Sequence, residues 1–345
     1  MSSTTKSHAT FQSSFTKKRI DVTFKVASGA LGPTADTDTV TLTEHRVRAT
    51  ITREGMWQGA NLNLRVEGMT MAMMNRLSVV IGMPDGEGRN NQLAVASTVT
   101  VQAGDAERGM STIFSGGITE AFVDFTGAPN VALVVSSTDT VQSEQLLPLP
   151  STFPGVVSVS TIFSLLARKA TGLKETDTAP VAGNGAFVGH GMTSSMTVTN
   201  YYAWGSALQQ IHDLATSLHA FYAFDVSGTL HVWAQNDNTS RDSTTIKISN
   251  KTGLIGYPAY NQAGVSLTCL FNPALDLRVP FDLESEYRPA GWVDNGMGQT
   301  IPKMPSTGLW LPLFIAHDLA SEIPNGPWFT QVTAIRNDLP ANRTV

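Results

Sequence analysis

The stretch that decides the fold reads VSLTCLFNPALDLRVPFDLESE and covers residues 265–286. Residues 265–271 and 276–286 each alternate apolar with polar side chains, the pattern of a strand that buries one face. Between them, Asn272-Pro273 breaks the ladder, because proline lacks an amide donor and fixes φ. The stretch therefore predicts two one-sided strands that pair as an antiparallel hairpin.

The polar face of the second predicted strand is mostly acidic. Two carboxylic acids held close together could form the acid and base pair that glycosidases use. Because these acids are spread along one strand face, we interpret them instead as an exposed acidic stripe. The stripe comprises Asp276, Asp282, Glu284 and Glu286, opposite the apolar side chains of Leu277, Val279, Phe281 and Leu283.

The composition indicates a folded, mostly β protein. Of the 345 residues, 41% are hydrophobic and 15% are charged, enough apolar material for two or three domains. The 29 Gly and 17 Pro favour short strands and turns over helices. No apolar run approaches the roughly 20 residues of a membrane helix, and the N-terminus lacks the apolar centre of a signal peptide. We therefore expect a soluble protein without membrane insertion, and a net charge of -5 argues against a nucleic-acid binder.

The N-terminal segment is basic. Before Ile20 it contains Lys6, Lys17, Lys18 and Arg19 and no acidic residue. One interpretation is a basic arm that docks on an acidic partner, and the other is a solvated leader. Residues 1–15 are assigned as a flexible basic leader.

Residues 16–145 are predicted to form a first β domain. Alternating segments recur there between Gly, Pro and Asp clusters. The methionine-rich residues 69–76 predict a helical turn or an irregular packing segment, with the methionines filling a core or interface. The predicted strands cover residues 22–26, 47–51, 62–66, 93–101, 112–125 and 131–135.

Residues 146–240 predict a small α+β module, followed by a second β domain at 241–345. The module begins with the proline-rich residues 146–155, which are interpreted as a linker. Apolar residues at helical spacing then predict two helices, and a Val-Ser-Gly turn predicts a hairpin that covers the second helix. The predicted elements are a helix over 159–170 between Ser158 and Gly172, a helix over 204–218 that buries Leu208, Ile211 and Leu218, and hairpin strands at 221–225 and 229–234.

Candidate chemical groups do not assemble into a site. His212 and His219 are about two helical turns apart, too far to chelate one ion together. The glycine-rich residues 183–191 lack the Lys-Ser/Thr pair of a phosphate loop and are interpreted as a mobile loop. Cys269 falls on the apolar face of its strand and is predicted to be a buried, inert thiol. We therefore predict no catalytic residue, no cofactor, no metal and no enzymatic activity.

The order of the parts and several short motifs resemble a known family. The helix SVSTIFSLLARKATGL is followed by YYAWGSALQQIHDLA, and the chain from about residue 110 onward is similar to the central baseplate hub proteins of contractile-tailed, Mu-like bacteriophages. The supporting motifs are IFSGGI at 113–118, DFTGAP at 124–129, GLIGYP at 253–258, NPAL at 272–275, HDLASE at 317–322 and WFT at 328–330.

The resemblance implies a homotrimer in which each subunit contributes two tail-tube-like β-barrel domains that flank the module. Six similar domains would then ring a channel, bind the tail tube above and hold the central spike below. Tape measure and baseplate wedge proteins are further candidate partners, and DNA would only pass through. Such a protein would belong to the virion baseplate and assemble in the bacterial cytoplasm. We expect the acidic stripe to line the channel, because acidic walls repel DNA.

Two other classes of function stay open from the sequence. A β-rich enzyme that degrades cell-surface polysaccharide would use the acidic strand as its site and would need a cleft. A carbohydrate-binding module would use exposed aromatic residues such as Trp292 and Trp310 as stacking platforms. Such aromatic residues are more often core or interface anchors.

Overall fold

The computed structural model is mainly β with a smaller α+β part, as the sequence predicts. Among its described residues, no helix is both long and apolar enough to cross a membrane. The structure describes residues 8–9, 16–26, 38–80, 97–173, 178, 180–193, 195–235, 237, 241, 245–261, 264–287 and 307–336.

The N-terminal part is built mainly from antiparallel, one-sided strands. The strand over residues 46–55 buries every second residue from Val47 onward, which is why it forms one wall of a core. The elements are β1 (His8–Ala9), β2 (Lys18–Lys25), β3 (Thr39–Leu42), β4 (Arg46–Gly55), β5 (Gly59–Glu67), α1 (Met71–Leu77), β6 (Val79–Val80), β7 (Thr98–Asp105), β8 (Gly109–Asp124), β9 (Ala132–Thr138) and α2 (Val141–Gln145).

The α+β module has its own apolar core, in which two helices pack on a small sheet. Leu208 and Ile211 are fully buried and Leu218 partly buried in this core, as predicted. Gly172, at φ +75°, ends the first helix: its amide bonds to Lys169 O, and the next amide bonds to Arg168 O. The elements are β10 (Ser151–Ser158), α3 (Val159–Ala170), β11 (Phe187–His190), β12 (Thr197–Ala203), α4 (Ala207–Ser217), β13 (Phe221–Phe224) and β14 (Leu230–Trp233).

The C-terminal part continues the sheet of the N-terminal part. Its elements are β15 (Thr245–Ser249), β16 (Leu254–Asn261), β17 (Gly264–Leu270), β18 (Phe281–Glu284), β19 (Thr307–Ser321) and β20 (Trp328–Arg336). The long strand β19 pairs with β20 on one side, and with β18 and then β4 on the other.

β19 therefore joins two arms of a single hydrogen-bonded sheet. One arm runs β4-β5-β9-β8-β7-β2-β3, and the other includes β18-β15-β1 and β20-β17-β16. In the described residues, strand pairing does not complete a closed ring in either arm. The barrel form and the domain boundaries at 145 and 240 stay predictions.

Four local predictions were wrong. Residues 265–286 do not form a hairpin, because β17 pairs with β16 and β20 while β18 pairs with β15 and β19. Residues 276–280 form turns rather than strand, since Val279 N bonds back to Asp276 O. Polar residues alternate with apolar ones in this segment, but the polar side chains are also buried, against polar groups of other segments.

The other two errors concern Gly- and Pro-rich segments. The expected linker contributes β10, which pairs with β12 through a register shift between Phe153 and Val156, where Pro154 can be accommodated. The expected mobile loop contributes β11, which pairs in parallel with β14. In both cases a distant strand supplies the backbone hydrogen bonds that local composition could not reveal.

Candidate assembly surfaces

A buried ion cluster joins the two arms of the sheet to the module. Arg53 Nε lies 3.2 Å from Asp276 Oδ1, and Arg241 Nη1 lies 2.9 Å from Asp276 Oδ2. Arg53 Nη2 also donates a 3.0 Å hydrogen bond to Phe224 O in the module hairpin. Side chains from the N-terminal arm and from the C-terminal part thus meet the module backbone around one carboxylate.

The electrostatics of this cluster keep Asp276 ionised. Asp276 is only 7% exposed and Arg53 only 4%. Burial alone would raise the pKa of Asp276, but the charges of Arg53 and Arg241 and the Leu277 amide lower it below its ordinary value. A buried carboxylate with two cations satisfies the rule that interior charges are paired.

A half-buried carboxylate, that of Asp139, lies near the same arginine. Asp139 Oδ1 accepts a 2.8 Å hydrogen bond from Ala60 N at the start of β5. Burial raises the pKa of Asp139 to about 6, although the Ala60 amide and the charge of Arg53 act in the opposite direction. Asp139 is thus an acid that titrates closer to neutrality than an exposed one.

The predicted acidic stripe is divided by the structure. Asp276 lies inside the chain, whereas Asp282 is partly buried and Glu284 and Glu286 are exposed. Glu284 Oε2 lies 2.8 Å from Lys247 Nζ, and the hydrogen bond from Lys247 lowers the pKa of Glu284. The structure therefore leaves a shorter, partly neutralised acidic surface around β18.

The sequence analysis did not predict a row of contacting polar groups in the module. His190 Nε2 lies 3.0 Å from His231 Nδ1, and His231 Nε2 lies 3.5 Å from Asp225 Oδ2. Burial, then the neighbouring His231, lowers the pKa of His190 to about 4. Although burial opposes it, hydrogen bonds from His231 and Ser227 hold the pKa of Asp225 below its ordinary value. At neutral pH this row of polar groups connects β11, in the glycine-rich segment, to the β13–β14 hairpin.

The remaining candidate groups are structural. Cys269 is 3% exposed, and burial raises the pKa of its thiol to about 12, which fits the prediction of an inert side chain. His212 Nδ1 lies 3.3 Å from Tyr222 Oη, so this histidine packs against the hairpin. Within the described part of the chain, no group of three His, Cys, Asp or Glu residues could hold a metal ion.

The basic residues next to the predicted leader are paired within the chain. Lys17 Nζ lies 2.6 Å from Glu322 Oε1, and Lys18 Nζ lies 2.9 Å from Asp105 Oδ2. Arg19 pairs with Asp21 on the same strand. Lys6 and most of residues 1–15 lie outside the described residues. These three cations therefore form ion pairs with acidic residues of the same chain.

Solved structures of phage tail proteins share this fold. The 43 kDa tail protein of prophage MuSo2 from Shewanella oneidensis matches with a TM-score of 0.52 at 10% identity, covering 92% of this chain and 97% of its own. A tail protein from Neisseria meningitidis MC58 matches with a TM-score of 0.51 at 10% identity, covering 92% and 96%. The E. coli c3393 protein matches with a TM-score of 0.50 at 9% identity, covering 91% and 76%. That protein is a component of the type VI secretion system with structural similarity to the T4 bacteriophage tail proteins gp27 and gp5.

The sequence defines the family within this fold. The model of the Baseplate hub gp41 family matches residues 19–291, most of the chain. The chain therefore belongs to the Baseplate hub gp41 family, and it is a structural component of a bacteriophage tail baseplate. The resemblance to a baseplate hub is thus confirmed. No curated protein matches this chain in sequence.

Proposed function

We propose that this hub assembles as a homotrimer that joins the tail tube to the central spike of a contractile tail. The observation that carries the proposal is the family match over residues 19–291. The two-armed sheet supports it, because each arm supplies strands that could stand beside those of a neighbouring copy in a ring. Tape measure and baseplate wedge proteins are further candidate partners, and assembly would take place in the host cytoplasm.

The proposed trimer also forms part of the channel for genome delivery. DNA carries about one negative charge per 1.7 Å, so a conduit wall must not attract it. Asp282, Glu284 and Glu286 are the stripe residues that could face such a lumen, while Asp276 is buried. Since Glu284 is paired with Lys247, Asp282 and Glu286 would carry most of the repulsion.

Light scattering during size-exclusion chromatography tests the assembly. The expected mass is three times the 36.9 kDa of the chain, alone or after addition of the spike or tube protein. A chain that remains a monomer with both partners present would contradict the proposal.

Charge reversal tests the conduit. Asp282→Lys with Glu286→Lys should leave folding and assembly intact but slow genome delivery, most at low salt where screening is weakest. Asp282→Asn with Glu286→Gln is the matched control and should slow delivery less. If an assembled ring places these carboxylates on its outer surface, the conduit role is wrong even though the hub role stands.

A further inference from the structure

Two exposed apolar surfaces lie in parts of the chain that carry no charge. Residues 145–167, 178–212 and 252–275 contain no Asp, Glu, Lys or Arg, although 15% of the whole chain is charged. The module surface lies within the first two ranges, and the β16 surface lies within the third. Interface centres differ from other protein surface in this way, with few charges and many Tyr and Trp side chains.

The module surface is formed by the outer face of the β10–β12 sheet and the segment before it. Its large apolar side chains are 55% to 86% exposed. These side chains are Leu147 at 79%, Leu149 at 86%, Val156 at 69%, Tyr202 at 55% and Trp204 at 58%.

Strand alternation fixes the direction of these side chains. Thr152 pairs with Tyr202 on the outer face, whereas Ala203 is buried and the rings of Phe153 and Tyr201 pack inward, 6.2 Å apart. Lys169 Nζ donates to Leu149 O and Ser151 Oγ, which anchors the segment that presents the leucines. The surface is therefore held in place before any partner binds, which lowers the entropic cost of binding.

The β16 surface is centred on Tyr257. Leu254 and Pro258 are buried, while Ile255 is 39% and Tyr257 is 68% exposed. The register between β16 and β17 shifts between Ile255 and Ala259, and Gly256 adopts φ +67° there. This irregularity presents Tyr257 outward at the edge of the sheet.

A row of aromatic rings supports this surface from behind. The Tyr257 and Tyr287 rings lie 5.9 Å apart, and the Tyr260 ring lies 6.2 Å from Tyr287 and 6.1 Å from Trp310. Trp310 is fully buried, so the row connects the surface to the core. Tyr257 is thereby a preorganised aromatic anchor of the kind that dominates binding energy.

Both surfaces also border strands with an open edge. In the described residues, β10 and β12 pair only with each other, and β16 pairs only with β17. Unpaired strand edges favour contact with another chain.

The partner that fits these surfaces is a second copy of this chain. A closed ring is built from heterologous contacts, in which two different patches on each subunit meet. Each copy carries two such patches, and the exposed apolar side chains of both come from stretches without Asp, Glu, Lys or Arg, so their contact would not require those stretches to bury an unpaired charge. We propose that the module surface of one subunit docks on the β16 surface of the next, a contact that rests on the proposed trimer.

Site-specific photo-crosslinking tests the contact. A photoreactive benzoylphenylalanine replaces Tyr202, and the protein is assembled from a mixture of isotope-labelled and unlabelled copies. We expect crosslinks between copies that map to residues 254–261. The matched control replaces Phe122, which is 43% exposed on β8 between Glu120 and Asp124 and should give no such crosslink.

Charged substitutions give a second, independent readout. Tyr202→Lys and Tyr257→Glu should each weaken self-association at least about tenfold, since each buries one charge in an apolar contact. The double variant should recover part of the loss, because the two new charges then pair. Phe122→Lys is the control and should leave association unchanged, while circular dichroism reports whether each variant folds.

The possible outcomes test the proposed contact and the proposed trimer separately. A trimer whose Tyr202 crosslinks map elsewhere, within one copy or to the spike or tube protein, overturns the contact and leaves the trimer standing. A trimer in which the double variant shows no recovery also counts against it. A chain that stays monomeric with its partners present overturns both.

Discussion

Asp276 and Glu284 belong to the same acidic stretch but have opposite environments. Asp276 is 7% exposed and lies between Arg53 and Arg241, whereas the Glu284 side chain is 61% exposed and pairs with Lys247 at the surface. Sequence alternation assigned both to one wet strand face. Residues that are distant in the sequence thus determine whether a carboxylate is buried in an ion cluster or exposed to a partner.

The largest loss of stability should follow from removing the buried carboxylate of Asp276. Asp276→Ala leaves two arginines without their carboxylate, and we expect a loss of about 3–5 kcal/mol in the free energy of unfolding. Asp276→Asn keeps the size but removes the charge and should be nearly as costly. Urea unfolding measures both, with Asp282→Ala as the control on the same stretch. A loss below about 1 kcal/mol for Asp276→Ala would show that the cluster contributes little.

A substitution in the apolar module core gives a reference for the loss of stability caused by Asp276→Ala. Ile211 is fully buried in the module core, so Ile211→Ala should cost about 2–5 kcal/mol through lost burial and a cavity. Unlike the effect of Asp276→Ala, this loss should not depend on pH or salt. Urea unfolding at two salt concentrations checks it, and a loss within about 0.5 kcal/mol would place this helix face in solvent.

A third effect depends on pH. His317 is 3% exposed and its Nδ1 lies 2.9 Å from Thr330 Oγ1, and burial lowers its pKa to about 4. The unfolded chain binds a proton near pH 6.5 and the folded chain does not, so stability should fall as pH drops from about 6.5 to about 4. The contribution is up to about 3 kcal/mol.

A variant isolates this contribution. The raised pKa of Asp139 acts in the opposite direction over part of the same range, so wild type must be compared with His317→Gln. Urea unfolding at pH 7 and pH 4.5 should show a larger acid loss for the wild type. Equal losses in the two proteins would mean that His317 titrates normally in the folded state.

The smallest effect on stability is expected at the exposed carboxylate, Glu284. Glu284→Gln removes a surface ion pair, which is screened by solvent and salt, so stability should stay within about 1 kcal/mol of the wild type. Thermal unfolding checks this. A loss as large as that of Asp276→Ala would mean that exposure does not separate the two carboxylates.

One missed residue could have been found from the sequence. Val47, Ala49 and Ile51 alternate on the buried face of β4, and the next position on that face is Arg53. An arginine at a predicted core position indicates a buried partner of opposite charge. The pattern does not say which of the acids that partner is, because Asp276 lies far away in the sequence.

The histidine chain and the strands beside it left weaker signals. Gly183, Gly185, Gly189 and Gly191 suggested a loop, yet Phe187–His190 becomes β11 because β14 offers it a parallel partner. His190 then stacks on Trp233 with the ring centroids 4.6 Å apart. Such a contact depends on which strand comes alongside, and side-chain spacing does not encode that.

The sequence by itself determined the strongly periodic elements and the family. Period-two alternation defined β4, β5 and β17, and helical spacing defined α3 and α4, because these periodicities follow directly from backbone geometry. Tertiary structure alone decided that β19 pairs with β4 and that Asp276 is buried against Arg53. Backbone hydrogen bonds are nearly the same for every residue type, so the choice of partner strand is made by the packing of the whole chain.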